Sequence, residues 1–455
     1  MTLATEYRGK GAVPRPDYLK SLDNLRLIKG IQPTDFWGRT SKAFRGTRSY
    51  LLYYHPKFAD HSVFRDRAYD WTDPFLRRWL PPTRPAADWV GRALQRIERA
   101  VPVNHGIVNQ LRADRYDVML ISPLISYQNL FHYDYVKAAN SIGLPVGFPV
   151  FSWDNLSTKG IMQIIPDRVW VWNDVQRWEL EELHDAPAAR ISVLGAWRFD
   201  EFRALSPSQN RDEFCRSRGL DPAIPIVTYL GSSPAIAPTE AIAVGEWIEK
   251  LRASRDPLLA NANLVIRAHP RNVATWKDRS RFNSLPRVHV QFPESINFWD
   301  MQGLYDLLAF SHACVGANTS AMLEAAILKR PVYSLLSQGF GLGLEEVLHF
   351  EYLTSAGGGL LYLASDYDEH FLLLGESIRR PLGEPDARAS AFFDAFLAPP
   401  AGACSTVQLA DEVESLSRIK KNPMRRGIED RLLDPLLRLA VTAKLIRISL
   451  HRDEN

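Results

Sequence analysis

Residues Gly316 to Val332 read G-A-N-T-S-A-M-L-E-A-A-I-L-K-R-P-V and follow an apolar run, Ala313 to Val315. A polar turn, Gly316 to Ser320, separates that run from a helix-like stretch, Ala321 to Lys329. Pro331 closes the stretch, and a second apolar run, Val332 to Leu336, follows. Strand, polar turn, helix and strand in succession make one unit of a parallel sheet. The turn sets a glycine, an amide and two hydroxyls where the helix begins. Free backbone N–H groups at a helix start attract anions, phosphate above all. Glu324 lies four residues past Ser320, about one helical turn further on. A carboxylate there can accept bonds from ribose hydroxyls, so this segment can hold both ends of a nucleotide. The plainer reading makes Asn318, Thr319 or Ser320 an ordinary N-cap and Glu324 a solvated helix residue.

The same alternation extends outward from this segment. Upstream, Ile224 to Leu230 reads as a strand running into Gly231-Ser232-Ser233. A helix follows from Thr239 to Leu251, with Pro238 at its start, where a missing N–H does no harm. Leu264 to Arg267 is a strand ending in His269-Pro270-Arg271; Val288 to Phe292 is another strand, and Met301 to Phe310 a helix. Downstream, Gly339, Gly341 and Gly343 form a glycine-rich loop ahead of a helix at Leu344 to His349. A strand at Leu360 to Leu363 and a helix at Tyr367 to Ile378 complete the run.

The first half carries the pattern too. Val118 to Ile121 is apolar, and a helix over Tyr127 to Ile142 is stopped by Gly143 and Pro145. Val146 to Phe151 is a strand that enters S-W-D-N-L-S-T-K-G, Ser152 to Gly160. Val169 to Trp172 is a strand, Asp174 to Leu183 a helix and Ile191 to Leu194 a strand; Gly195 to about Ser208 reads as a linker. Continuous apolar strands between helices indicate parallel sheets buried on both faces. The expected fold is α/β, with a Rossmann-like N-terminal domain over 1–205 and a second over 206–400. A basic helical tail over 401–455 completes the chain.

Residues 1 to about 112 are rich in Arg, Pro and Trp and read poorly, apart from a helix-like stretch at Trp89 to Val101. Arg65, Asp66, Arg67, Asp70, Trp71 and Asp73 form either an acceptor surface or, as charge runs usually do, a solvated segment with packed aromatics. In the tail, Leu432, Leu433, Leu436, Leu437 and Leu439 alternate with Arg431, Arg438, Lys444 and Arg447. That stripe suits packing back over the first domain, with peripheral membrane contact as the alternative.

Composition sets outer bounds. At about 150 residues per domain, 455 residues suggest two or three domains. A hydrophobic share of 46% and a charged share of 24% describe an ordinary globular chain, and a net charge of +3 implies no strongly charged partner. Cys215, Cys314 and Cys404 share no metal spacing, and their odd number argues against a disulfide framework. The first ten residues lack the apolar core of a signal peptide. No apolar run nears the ~20 residues of a membrane span. A cytoplasmic protein is expected, with contact at the inner membrane through the tail as the alternative. No basic-aromatic patch suggests nucleic acid.

Two Rossmann-like halves with polar turns at the strand ends describe the GT-B architecture. R-A-H-P-R, Arg267 to Arg271, resembles the His-Pro motif of bacterial sialyltransferases and of CDP-glycerol glycerophosphotransferases. N-T-S-A-M-L-E-A-A, Asn318 to Ala326, resembles the paired-hydroxyl motif that follows it in those families. Glu324 also resembles the ribose-binding glutamate of many GT-B enzymes and of UDP-GlcNAc 2-epimerases. The resemblance spans roughly residues 116 to 378.

It implies that His269 sits near the donor phosphate or base, in a catalytic position, that Thr319 and Ser320 bind phosphate oxygens and that Glu324 takes the ribose. The remaining donor contacts expected with them are Gly231, Ser232, Ser233, Arg267, Arg271, Gly316 and Asn318. The bland reading of His269 is a hydrogen-bonded scaffold residue. The sialyltransferases' acidic motif in the first domain is missing. Asp154 in S-W-D-N is the substitute base, at a strand end facing the presumed cleft. Asn155 and Lys159 beside it are expected to bind acceptor. Alternatively, Asp154 and Asn155 only shape a turn.

Hydroxyls and amides can stabilise a departing diphosphate without metal. The nearest Asp-x-Asp, Asp366-Tyr367-Asp368, reads as a helix cap, and no His-Glu-x-x-His occurs. No metal and no cofactor beyond a nucleotide-activated sugar is expected. The leading expectation is a glycosyltransferase of polysaccharide or cell-envelope biosynthesis, acting on a glycan or lipid-linked acceptor. Transfer of glycerol phosphate, 2-epimerisation of a nucleotide sugar and a non-catalytic scaffold are the alternatives. The epimerase ranks low because few acidic residues lie near the motifs.

Overall fold

The computed structural model describes residues 2–5, 23–128, 130–234, 236–276, 282, 285–293, 301–335, 348–424, 427 and 435. The glycine-rich loop Gly339 to Gly343 and the leucine-arginine stripe of the tail lie outside the described residues.

Among the described residues there are twelve strands, β1 to β12 in chain order. β1 (Thr2–Thr5) and β2 (Arg26–Lys29) pair alone. β3 (Met119–Leu120), β4 (Val146–Pro149), β5 (Arg168–Val171) and β6 (Ile191–Val193) form a parallel sheet in sequential order. β7 (Ile226–Leu230), β8 (Asn263–Arg267), β9 (Val288–Gln291), β10 (Ala313–Gly316), β11 (Val332–Leu335) and β12 (Leu361–Ala364) form a second parallel sheet. This is the α/β, two-sheet architecture that the GT-B resemblance implies.

In the second sheet the strand order is β12-β11-β10-β7-β8-β9. The chain builds outward from β7 through β8 to β9, then crosses back to lay β10 on the other side of β7. Between β7 and β10 the winding therefore reverses. The four central strands β11, β10, β7 and β8 are buried at every residue, as continuous apolar runs require.

Expected helix ends shift by a few residues. The helix expected from Tyr127 starts at His132, and it stops at Gly143, whose left-handed φ of 77° only glycine adopts without strain. The segment read as a linker holds a tight turn, Trp197–Phe199, and a short helix, Asp200–Arg203. Asp366 caps the Tyr367–Ile378 helix by accepting from the Glu369 amide, as read.

The poorly legible N-terminal part is helical. The Phe36–Leu51 helix is anchored on the first half by Arg45, whose guanidinium binds Glu98 at 2.5 Å and Asp134 at 2.8 Å in a buried network. The Arg65–Asp70 charges lie on the exposed face of a helix, Ser62–Asp70, whose other face buries Phe64 and Ala68. That segment reaches the second half, where Lys57 and His61 bind Glu351 at 2.7 and 2.9 Å. One apolar core runs from Tyr53, Phe64 and Trp153 into the second sheet, so the halves are packed together.

Past the second sheet, the Ser405–Ser417 helix returns to the first. Leu416 lies on Trp170 of β5, and Glu412 accepts from the Trp170 indole N–H at 3.0 Å. Lys421 binds Asp167 at 2.6 Å. Burying Leu416 alone is worth about 2 kcal/mol. Among the described residues, no helix is long and apolar enough to cross a membrane.

Candidate functional site

Ligands of open α/β sheets bind outside the carboxyl ends of the strands, where the winding reverses. In the second sheet that place lies between the turns that follow β7 and β10. Gly316 pairs with Leu230, so Gly231-Ser232-Ser233 and Gly316–Ser320 emerge side by side. Both glycines answer to close backbone approach. A Cβ at Gly316 would sit 3.0 Å from the Leu230 carbonyl oxygen and 2.9 Å from Met322 Cε. At Gly231 it would meet the Arg267 carbonyl oxygen at 2.7 Å.

The two turns differ in what their amides do. The Gly231 N–H donates to the Arg267 carbonyl at 2.9 Å. The Ser232 N–H donates to the Glu240 carboxylate at 2.7 Å, and Asn272 donates to the Ser232 carbonyl. Two of the three amides expected to cradle donor phosphate, those of Gly231 and Ser232, are thus already taken by protein acceptors. Even with the bond from Ser232, burial pushes Glu240 up to about 7.

The turn after β10 is uncapped. Among the described residues, no protein acceptor takes the backbone N–H of Asn318, Thr319 or Ser320, and the Thr319 and Ser320 hydroxyls have no partner. Ser320 stands at the N-cap position with helical φ and ψ and makes no side-chain cap. The N-cap reading therefore fails. The helix behind the turn, Ala321–Ile327, is short, so its dipole adds little; the amides and hydroxyls themselves are the donors. Asn318 and Thr319 are only 5% and 7% exposed.

Glu324 is 6% exposed, and its Oε2 has no partner among the described residues. Burial pushes its carboxyl up to about 7, against the charges of Arg198 and Arg267. It is thus neither a solvated helix residue nor a freely exposed ribose ligand. Arg267 is buried at the end of β8, while Arg271 is exposed. His269 accepts the Arg271 amide on Nδ1 at 3.1 Å. Burial, with the Arg271 charge, lowers it to about 4. The ring is therefore neutral at pH 7 and fit to donate from Nε2, not to act as an acid.

The first sheet brings the loop after β4 towards the same region, where the charges of both Asp154 and Glu324 act on Arg198. Burial works to raise the Asp154 pKa, but Lys159 at 3.2 Å and the Ser152 hydroxyl outweigh it and hold Asp154 well below the usual carboxylate range. A carboxylate so stabilised is a weak proton acceptor, which weighs against the role of base expected of it. Asn155 is 1% exposed and donates to the Ile125 carbonyl at 3.1 Å, so it shapes the loop, while its Oδ1 has no partner among the described residues. Lys159 is engaged by Asp154.

Several groove residues escape a reading from sequence. Arg198, in the supposed linker, stacks its guanidinium over Phe151 at 4.8 Å, and its charge acts on both Glu324 and Asp154. Glu179 is fully buried and accepts from Tyr352 across the two halves at 2.7 Å; burial pushes it up to about 8. A carboxylate on the buried face that carries Gln176, Leu180 and Leu183 was the available signal. His349 bonds Asn318 at 3.1 Å and packs edge-on against Trp153. Among the described residues, no three or more His, Cys, Asp or Glu gather as metal ligands would.

No family model matches the chain, and no curated protein does. The chain is similar to solved structures at low identity. UDP-GlcNAc 2-epimerase from Methanocaldococcus jannaschii shares 14% identity over 72% of this chain and 82% of that one, with a TM-score of 0.44. The S. aureus MnaA–UDP structure shares 12% over 85% and 97%, with a TM-score of 0.46. Anabaena Alr3699/HepE in complex with UDP-glucose shares 13% over 68% and 81%, with a TM-score of 0.42.

Proposed function

We propose that the protein binds a nucleotide-activated sugar at the reversal point of its second sheet and transfers the sugar, without metal, to an acceptor in the groove. One observation carries the reading: among the described residues, the backbone N–H groups of Asn318, Thr319 and Ser320 and the Thr319 and Ser320 hydroxyls take no partner where the winding reverses. Unsatisfied donors in a nearly sealed turn favour an anionic ligand with several acceptor oxygens. Arg198 and Arg267 supply the positive charge a departing diphosphate needs, and Glu324 the acceptor for a ribose hydroxyl. Because the turn is nearly sealed, ligand entry requires the two halves to part and close again. The acceptor class remains the one the resemblance implies, a cell-surface polysaccharide or a lipid-linked glycan. Calorimetric titration with UDP, CDP, CMP and GDP tests the reading. One of them should bind, and Glu324→Gln should weaken it by about tenfold. Binding of none sinks the reading.

A second reading, 2-epimerisation, gains from a specific observation. Glu324 and Glu240 are pushed up to about 7 and Glu179 to about 8, where carboxyls both give and take protons near neutral pH. A sugar nucleotide incubated alone would then change its sugar with no acceptor present.

A further inference from the structure

His349 opens the Leu348–Ser355 helix and is 7% exposed. Its Nε2 lies 3.1 Å from the Asn318 side-chain nitrogen, which can only donate. Nε2 is therefore the acceptor, and the ring proton sits on Nδ1. Nδ1 is buried and has no partner among the described residues. A buried N–H without an acceptor is destabilising.

What surrounds the ring is informative. The Trp153 indole meets it edge-on, with centroids 4.9 Å apart, and Phe64 lies 6.0 Å away. The Asp154 carboxylate makes no hydrogen bond to the ring, yet its charge acts on it. Burial nevertheless lowers the imidazole to about 4, so the ring is neutral at pH 7. An N–H donor without a partner among the described residues and an ionised carboxylate thus lie near one another, beside an aromatic wall. A phosphate oxygen accepts from the first but cannot donate to the second. A hydroxyl does both.

We propose that Nδ1 of His349 donates to a sugar hydroxyl that in turn donates to Asp154, which makes the Trp153–Asp154–His349 corner the subsite for the sugar of the bound nucleotide. This rests on the nucleotide reading above and adds to it the group that recognises the sugar. Asn318 links the two parts, since it belongs to the uncapped turn and holds His349 in the required tautomer.

The test compares UDP with UDP-glucose, GDP with GDP-mannose and CMP with CMP-N-acetylneuraminate by calorimetry on the full chain. His349→Phe keeps the packing against Trp153 and Phe64 and removes both nitrogens. For the pair that binds, the variant should weaken the sugar conjugate by about tenfold and the bare nucleotide by less than about twofold. Equal weakening of both, or of neither, overturns the subsite. No binding of any probe to the wild type overturns the nucleotide reading and the subsite with it. A second measurement covers a variant that fails to fold. In wild-type protein with 15N-histidine, the His349 Nδ1–H resonance should shift on adding the conjugate and stay in place with the nucleotide alone; the same shift with both ligands overturns the subsite.

Discussion

Tyr352 donates a 2.7 Å hydrogen bond to Glu179, joining the Leu348–Ser355 helix of the second half to the Asp174–His184 helix of the first. Both groups are buried, and the bond sits beside the groove in which Asp154 and Glu324 meet Arg198. A second link between the halves, Lys57 and His61 to Glu351, is partly exposed at its carboxylate. Burial decides their relative worth. Tyr352→Phe leaves the Glu179 carboxyl without its donor and should cost about 1–3 kcal/mol, whereas Glu351→Gln should cost no more than about 1 kcal/mol. Urea denaturation of the two variants checks the order; a larger loss at Glu351 contradicts it.

Glu179 should also make stability depend on pH. Burial raises it from 4.5 to about 8, so the folded protein keeps a proton that the unfolded chain releases. Stability therefore falls as pH rises through that window. Glu179→Gln keeps an acceptor for Tyr352 and removes the titration. It should match wild type near pH 4.5 and exceed it by about 2–4 kcal/mol at pH 8.5. Chemical denaturation at both pH values checks this, and a gain of equal size at both would contradict it.

The buried network at Arg45 has the opposite sign. Burial works to raise Glu98, but Arg45 and Lys137 outweigh it and hold the carboxyl at about 2. Its contribution is present above the unfolded value of 4.5 and is lost as pH falls towards about 2. Arg45→Met removes the guanidinium from the buried Asp134 carboxylate and leaves Glu98 to Lys137 alone, and should cost about 3–5 kcal/mol at pH 7. The loss should shrink below pH 4, as Glu98, no longer held ionised by Arg45, takes up a proton. Denaturation midpoints at pH 7 and pH 3.5 read both effects.

Glu324 and Asp154 should separate in a pH profile of nucleotide binding or turnover. Asp154 stays ionised well below the usual range, while Glu324 titrates at about 7. A limb centred near pH 7 should vanish in Glu324→Gln and persist in Asp154→Asn. Loss of that limb in the Asp154 variant would restore Asp154 as the titrating group.

Much of this fold is legible in the order of residues, for physical reasons that also mark where legibility stops. Strands such as Ile226–Leu230 and Val332–Leu335 are buried on both faces, so they appear as unbroken apolar runs near their true positions. Strand order leaves no such trace, so the pairing of β7 with β10, which sets two turns side by side, emerges only in space. The Asn318–Ser320 turn was readable because its polar residues interrupt an apolar frame. Gly231-Ser232 looked the same, and only the fold shows Glu240 taking its amide. Arg198 lay in a polar stretch read as linker, and what singles it out is its stacking over Phe151, forty-odd residues away. His349, Glu179 and Tyr352 matter through partners on the other half of the molecule, which local periodicity cannot reach.

The most direct measurement is a crystal structure of the full chain with the nucleotide that binds best. The account predicts phosphate oxygens within about 3 Å of the Asn318, Thr319 and Ser320 amides and a ribose hydroxyl on Glu324. A nucleotide seated elsewhere, with those amides turned to protein acceptors, would contradict it.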